Sequence, residues 1–371
     1  FRIFTRYKSP RPELVMPVFF CIGIFLYGLI LAIPADNDHV LAIQFFLATF
    51  VLILVHFVEH FRIDMDRASE ICGKSMVIFT IIYATLALNP GLPFATLLVE
   101  WFNEVSLSSN AEREFLDSAT TTLALGTAPF LFVPFCVVAI RLFRRFRWSD
   151  AIWLLLYAGT ILTSGARGVI VVALAFLVLA ALRLAAPLVR VLVVIGVALA
   201  FVVVIPELLA TTNIFSDEEV SNNAKIEHFE SYLDALDMSG GLFGNGLGSY
   251  YFSTGKNGLT QHTEITPLDL ARYVGIPLTF IFFMILLLPR FKIFEVRSTQ
   301  FVYTMAFFLY LILSLTNPVL INSYGMLVVV WYWTKLRQPD ATANAARSWN
   351  RVNNRAALAN RPIINRPGGL A

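Results

Sequence analysis

Charge is scarce in this chain: only 14% of its 371 residues are Asp, Glu, Lys or Arg, while 57% are hydrophobic. With a mean hydropathy of +0.71, that balance excludes a soluble domain of this length and leaves a polytopic membrane protein. Cysteine is nearly absent. Cys21, Cys72 and Cys136 have no paired spacing, which excludes a disulfide framework, and no His/Cys cluster has metal-ligand spacing. Neither a metal nor another cofactor is therefore expected. The first apolar run is too long for a cleavable signal peptide and lacks a small-residue cleavage site. The chain opens on Phe1 rather than Met, so further residues are expected upstream, with the number of spans there left open.

What is present is a series of apolar segments near the roughly 20 residues that cross a bilayer core. They fall at 15–34, 39–58, 75–98, 119–140, 150–164, 168–186, 188–208, 267–289, 299–319 and 323–336. The expected fold is an all-α bundle of about ten spans. Residues 1–208 form its first part and 267–337 its last, with a large outer loop at 209–266 containing short helices. A basic tail at 338–371 lacks apolar periodicity and is expected to be disordered. Threaded alternately, the spans put 23 of 28 Lys and Arg on one side and 17 of 25 Asp and Glu on the other. Positive residues stay in cytoplasmic loops, so both termini are expected in the cytoplasm. The basic surface is then a topology signal, not a nucleic-acid footprint.

Five cations break the sorting: Arg113, Arg167, Lys225, Lys256 and Arg272. Arg167 follows a small-residue reversal, Thr163-Ser164-Gly165-Ala166, which permits close approach of the two helices. Arg272 lies three residues after Asp269, so the two share a helix face. His262 and Glu264 come just before that span. Two outward arginines beside lipid suit a lipid-attached pyrophosphate, because guanidinium forks pair with phosphate oxygens. His262 or Glu264 is then placed to take a proton from an attacking sugar hydroxyl. Blander readings exist for each. Arg167 snorkels to the interface, Arg272 merely pairs with Asp269, His262 is a solvated loop histidine, and Glu264 favours a helix N-terminus. In the long loop, 224–236 (AKIEHFESYLDAL) spaces Ile226, Phe229, Leu233 and Leu236 as an amphipathic helix expected to lie on the membrane face. The glycine-rich turn Gly240–Gly248, which includes Gly246, follows no strand. It reads as structural rather than nucleotide-binding.

Three stretches resemble the O-antigen polymerase and O-antigen ligase superfamily of bacterial envelope glycosyltransferases: ILTSGARGVIVVALAFLVL at 161–179, AKIEHFESYLDALDMSGGLFGNGLGSY at 224–250 and QHTEITPLDLARYVGIPLTF at 261–280. LTNPVLINSYGMLVVVW at 315–331 is similar to the family's closing span pair. Ala166 stands where a serine is common, and Lys225 where an arginine is frequent. The resemblance implies a multi-pass protein of the bacterial inner membrane that transfers a glycan from undecaprenyl pyrophosphate on the periplasmic face. It implies pyrophosphate contacts from Arg167, Arg272 and Lys225 and a base at His262 or Glu264, with Asp269, Ser164 and Gly246 in support. The implied partners are the lipid-linked oligosaccharide, the bilayer and a chain-length regulator. Ligases usually carry His-Asn at the loop end; His262-Thr263-Glu264 followed by Asp269 looks more like polymerases. The expectation is therefore a repeat-unit polymerase, with a ligase to lipid A core or protein as the alternative. A lipid-linked sugar flippase fits less well, since a transport path calls for charge in mid-span.

Overall fold

The computed structural model describes residues 12–88, 97, 100–101, 109–115, 118–124, 128–164, 166–199, 226–227, 229–234, 241–254, 257–261, 263, 265–287, 299–315 and 317–336. The described chain is mostly helical. Its helices are α1 (Pro12–Ala32), α2 (His39–Thr49), α3 (Leu54–Phe61), α4 (Met65–Leu88), α5 (Phe132–Arg144), α6 (Trp148–Thr163), α7 (Arg167–Leu184), α8 (Pro187–Leu199), α9 (Thr266–Val274), α10 (Ile276–Leu287), α11 (Thr299–Leu313) and α12 (Ser323–Lys335). Two antiparallel hairpins accompany them: β1 (Ser109–Phe115) with β2 (Ser118–Ala124), and β3 (Tyr251–Ser253) with β4 (Gly258–Thr260).

Four described stretches are long and apolar enough to cross a membrane: Leu14–Ala32, His39–Phe61, Met65–Leu86 and Arg167–Leu184. They point to a multi-pass membrane protein. Their outer faces carry exposed apolar side chains such as Phe19, Leu47, Ile78 and Leu174, which is how a helix meets hydrocarbon. The centre is different. Every residue from Phe132 to Ile140 on α5 is buried, and α12 is buried from Val328 to Lys335. Helices enclosed on all sides are apolar all round, and these two form the axis about which the others pack.

The elements depart from the expected spans in four places. The third begins at Met65, not 75. The region expected as span 119–140 splits into strand β2 and helix α5, which runs on to Arg144. The polar 99–118 segment is helical at residues 100–101 and contributes strand β1. The eighth span breaks at Gly275 (φ 87) into α9 and α10; a Cβ there would sit 2.2 Å from the Leu242 carbonyl oxygen. In the long loop, residues 226–227 and 229–234 are helical. Ile226, Phe229 and Leu233 stay exposed, while Tyr232 is buried against the protein. The tail from 337 onward lies outside the described residues.

Hydrogen bonds and ion pairs fix which helix ends share a face. Arg141 at the end of α5 meets Glu70 near the start of α4 and Asp150 at the start of α6. Lys335 at the end of α12 meets Asp64 and Asp66 beside the start of α4. These ends define one face. On the opposite face, Thr266 at the start of α9 donates to Ser314 just after α11, and Asn322 caps the start of α12. Helix α6 leaves the ion-pair face and rises about 24 Å over its 16 residues. It thereby delivers Arg167 to the same face as the start of α9.

Candidate functional site

The region 241–261 is a loop that enters the protein rather than lying over it. Asn245 and Gly246 donate backbone hydrogen bonds to the carbonyls of Arg272 (2.6 Å) and Tyr273 (3.0 Å), and Leu247 donates to Gly28 (2.9 Å). Irregular backbone at this depth is tolerated only where protein satisfies its polar groups. Asn37 supplies more of that satisfaction, its Nδ2 donating to the carbonyls of Asn245 (2.8 Å) and Leu247 (3.1 Å). Gly246 has φ 84 and touches the backbone of Leu31 and Ala32, where no Cβ fits. The turn read as structural is a re-entrant wedge between α1 and α9.

Around this wedge sits Arg272, with no exposed surface. Its Nη1 donates to the Ser249 carbonyl (2.6 Å) and its Nη2 to the Gln261 carbonyl (2.5 Å). The guanidinium carbon lies 4.9 Å from the ring centres of both Tyr251 and Tyr273, and Asp269 is 3.8 Å from Nη2. Tyr273 Oη also donates to the Gln261 carbonyl (2.7 Å). Asp269 Oδ1 accepts from the Thr263 amide (2.7 Å), and Thr263 Oγ1 accepts from the Ile265 amide (3.1 Å). The residues that alternate with His262 and Glu264 are therefore each fastened, two of them to the Asp269–Arg272 pair. Sequence reasoning did not single out Tyr251, Tyr273, Ser249 or Gln261. Only the proximity of aromatic residues to Arg272 in sequence hinted at them.

Second contacts hold the loop to neighbouring elements. Tyr232 Oη donates to the Leu268 carbonyl (2.7 Å) and docks the loop helix on α9; burial pushes this phenol above its ordinary range. Ser231 and Thr254 join that helix to the β3–β4 hairpin at 2.9 Å. Tyr250 Oη donates to Asp38 Oδ2 (3.1 Å) while Asp38 Oδ1 accepts from the Leu41 amide (3.0 Å). These bonds, the Leu41 amide foremost, hold the Asp38 carboxyl below its usual range, and the Asp38 acceptor raises the Tyr250 phenol.

Arg167 is the first residue of α7 and partly buried. The hydroxyl of Ser164 is buried and donates to the Ile161 carbonyl (2.7 Å), so it tightens the turn that aims Arg167. Helix α7 packs on α5 and α11, whereas α9 packs on α10 and α1. The structure thus joins Arg272, Asp269 and Gly246 in one assembly, and carries Arg167 and Ser164 on a separate support at the same face. His262, Glu264 and Lys225 lie outside the described residues. Of the two Asp-x-Asp pairs in the sequence, Asp36/Asp38 and Asp64/Asp66, Asp38 caps α2, and Asp64 and Asp66 meet Lys335. No protein-family model matches the chain, and neither does any curated protein sequence or solved structure.

Proposed function

We propose that the protein is a membrane glycosyltransferase that joins polysaccharide repeat units on the outer face of a bacterial inner membrane. The donor is a glycan on undecaprenyl pyrophosphate, and the acceptor is the terminal sugar of a second lipid-linked unit. The observation that carries this reading is the fastening of Gln261, Thr263 and Ile265 beside the buried Asp269–Arg272 pair. A segment carrying a histidine and a glutamate is held on both sides, as a general base requires. Arg272 has both terminal nitrogens committed to backbone carbonyls, so its role in this scheme is to position that segment and lend it positive potential. Direct contact with the pyrophosphate falls to Arg167, with Lys225 as its partner. His262 or Glu264 takes the proton from the acceptor hydroxyl as it attacks the anomeric carbon. The bond to the pyrophosphate breaks with inversion, and arginine stabilises the departing charge. The face with Arg62, Arg67, Arg144, Arg145 and Arg147 is cytoplasmic by the positive-inside rule, which makes the Arg167 face periplasmic.

The test is incubation of the purified protein with a lipid-linked repeat unit and separation of the products by size. A ladder supports polymerisation. A single transfer to lipid A core replaces it with the ligase alternative, and no turnover with any lipid-linked glycan overturns the enzymatic reading in favour of transport.

A further inference from the structure

On the face opposite the candidate site, a cleft of about 510 Å³ opens between the start of α4, the end of α5 and Tyr303 of α11. Its long wall is one side of α4, where Arg67, Glu70, Ile71 and Lys74 recur at the three- and four-residue spacing of a helix face. Several charges here are already matched. Asp66 accepts from Tyr303 Oη (2.9 Å) and Trp331 Nε1 (2.9 Å) and pairs with Lys335 (2.7 Å). Arg141 donates to both oxygens of Glu70 and to Asp150 (2.9 Å). Two cations and one anion remain at the opening. Arg67 is exposed and has no ion-pair partner among the described residues. Lys74 is 3.8 Å from Glu70 and otherwise rests over the Trp153 ring. Asp64, at 61% side-chain exposure, uses Oδ1 for Lys335 (3.4 Å) and the amides of Asp66 (3.0 Å) and Arg67 (3.5 Å).

We infer that this cleft binds the zwitterionic headgroup of an ethanolamine phospholipid from the adjoining leaflet. Arg67 and Lys74 lie two turns apart on α4, about 10 Å along its axis, and their long side chains converge on a phosphate between them. Asp64 receives the ammonium group. A purely anionic headgroup gains the first contact and is repelled by Asp64; a bare cation meets the reverse. Exposed Ile71 on the same wall gives the glycerol end an apolar path into the membrane. The site is independent of the proposed sugar transfer.

The experiment titrates delipidated, detergent-solubilised protein with phosphatidylethanolamine or phosphatidylglycerol and counts bound lipid by native mass spectrometry. Phosphatidylethanolamine is expected to bind about tenfold more tightly, with Asp64→Asn removing most of that preference and Arg67→Gln and Lys74→Gln each weakening both lipids. Arg145→Gln, on the same face but outside the cleft, is expected to leave it intact. Circular dichroism and retained binding of other annular lipid establish that the variants are folded. Equal affinity for the two lipids, an unchanged preference in Asp64→Asn, or undiminished binding in Arg67→Gln overturns the proposal. So does displacement of the lipid by soluble phosphoethanolamine at matching concentration, which makes the occupant a metabolite rather than a membrane lipid.

Discussion

Three glycines give a graded test of the re-entrant wedge. At Gly246 (φ 84) an added Cβ would stand 2.5 Å from the Ala32 nitrogen and 2.8 Å from the Leu31 carbonyl carbon, both backbone atoms of α1. Left-handed backbone costs an L-residue about 1–2 kcal/mol, and forcing a methyl group into packed surroundings adds about 1–3 kcal/mol. Gly246→Ala is therefore expected to destabilise the protein by roughly 2–5 kcal/mol. At Gly28 the neighbours are side-chain atoms rather than backbone, Val274 Cγ1 at 2.8 Å and Leu247 Cγ at 3.0 Å. The φ penalty is absent there, so Gly28→Ala costs only the packing part, about 1–3 kcal/mol, offset by the gain in helix propensity. At Gly23 nothing lies within 4 Å, and Gly23→Ala is neutral or stabilising. Thermal unfolding in detergent, followed by tryptophan fluorescence, ranks the three. If Gly246→Ala unfolds within about 0.5 kcal/mol of the parent, the ordinary scatter of surface changes, or if Gly23→Ala is the worst of the three, the wedge is wrongly described.

The buried arginine makes a separate prediction. Arg272→Met deletes the donors to Ser249 and Gln261 and leaves Asp269 without its cation, a loss of about 3–5 kcal/mol. Raised protease sensitivity within 241–261 is the readout, and an unchanged digestion pattern refutes the assignment. Arg167→Ala is expected to lower transfer by about a hundredfold or more, the scale of losing one charge-stabilising donor, with its melting temperature near that of the parent. Full activity would remove Arg167 from the site. The Asp38–Tyr250 contact predicts a pH window for the loop. Asp38 titrates below its ordinary value when folded, so its contribution is complete above about pH 4 and fades as acid protonates it. Tyr250 titrates above its ordinary value, so its contribution is complete below about pH 10 and fades beyond. Hydrogen-exchange protection of the Leu247 amide, corrected for intrinsic rate, should be flat between those limits. A step near neutral pH contradicts the assignment, and Tyr250→Phe should remove the alkaline loss and reduce the acid one, which the Leu41 amide still supports.

Hydropathy located α1, the α2–α3 span and α7 to within a few residues, because lipid-facing helices must be apolar whatever their neighbours are. It failed where polar residues are compensated by distant ones. The first turns of α4 carry Asp66, Arg67, Glu70 and Lys74, which a local window scores as loop; their helix is possible because Arg141, Tyr303, Trp331 and Lys335 meet them. Helix α5 outruns its expected end at 140 for the same reason, since Arg141 is neutralised by Glu70 and Asp150. The β2 strand replaces the start of an expected span where Thr120, Thr121 and Thr122 follow one another, and β-branched runs favour extended backbone.

Arg272 shows most clearly what local sequence withholds. Its place at the end of an apolar span suggested a charge facing water and ligand, yet its hydrogen-bond acceptors, Gln261 and Ser249, lie eleven and more residues away in sequence. Backbone carbonyls drawn into a low-dielectric interior need donors, and the guanidinium fork supplies several from a single residue. Its charge then needs a partner and aromatic faces, which Asp269, Tyr251 and Tyr273 provide. A hydrophobic residue in that place would leave the Ser249 carbonyl without its Arg272 donor, and the loop would relax toward solvent. The buried charge is therefore intelligible as the means of holding an irregular segment inside the protein. It follows that the segment's position, more than the arginine's own reach, is what a substrate at this face would meet.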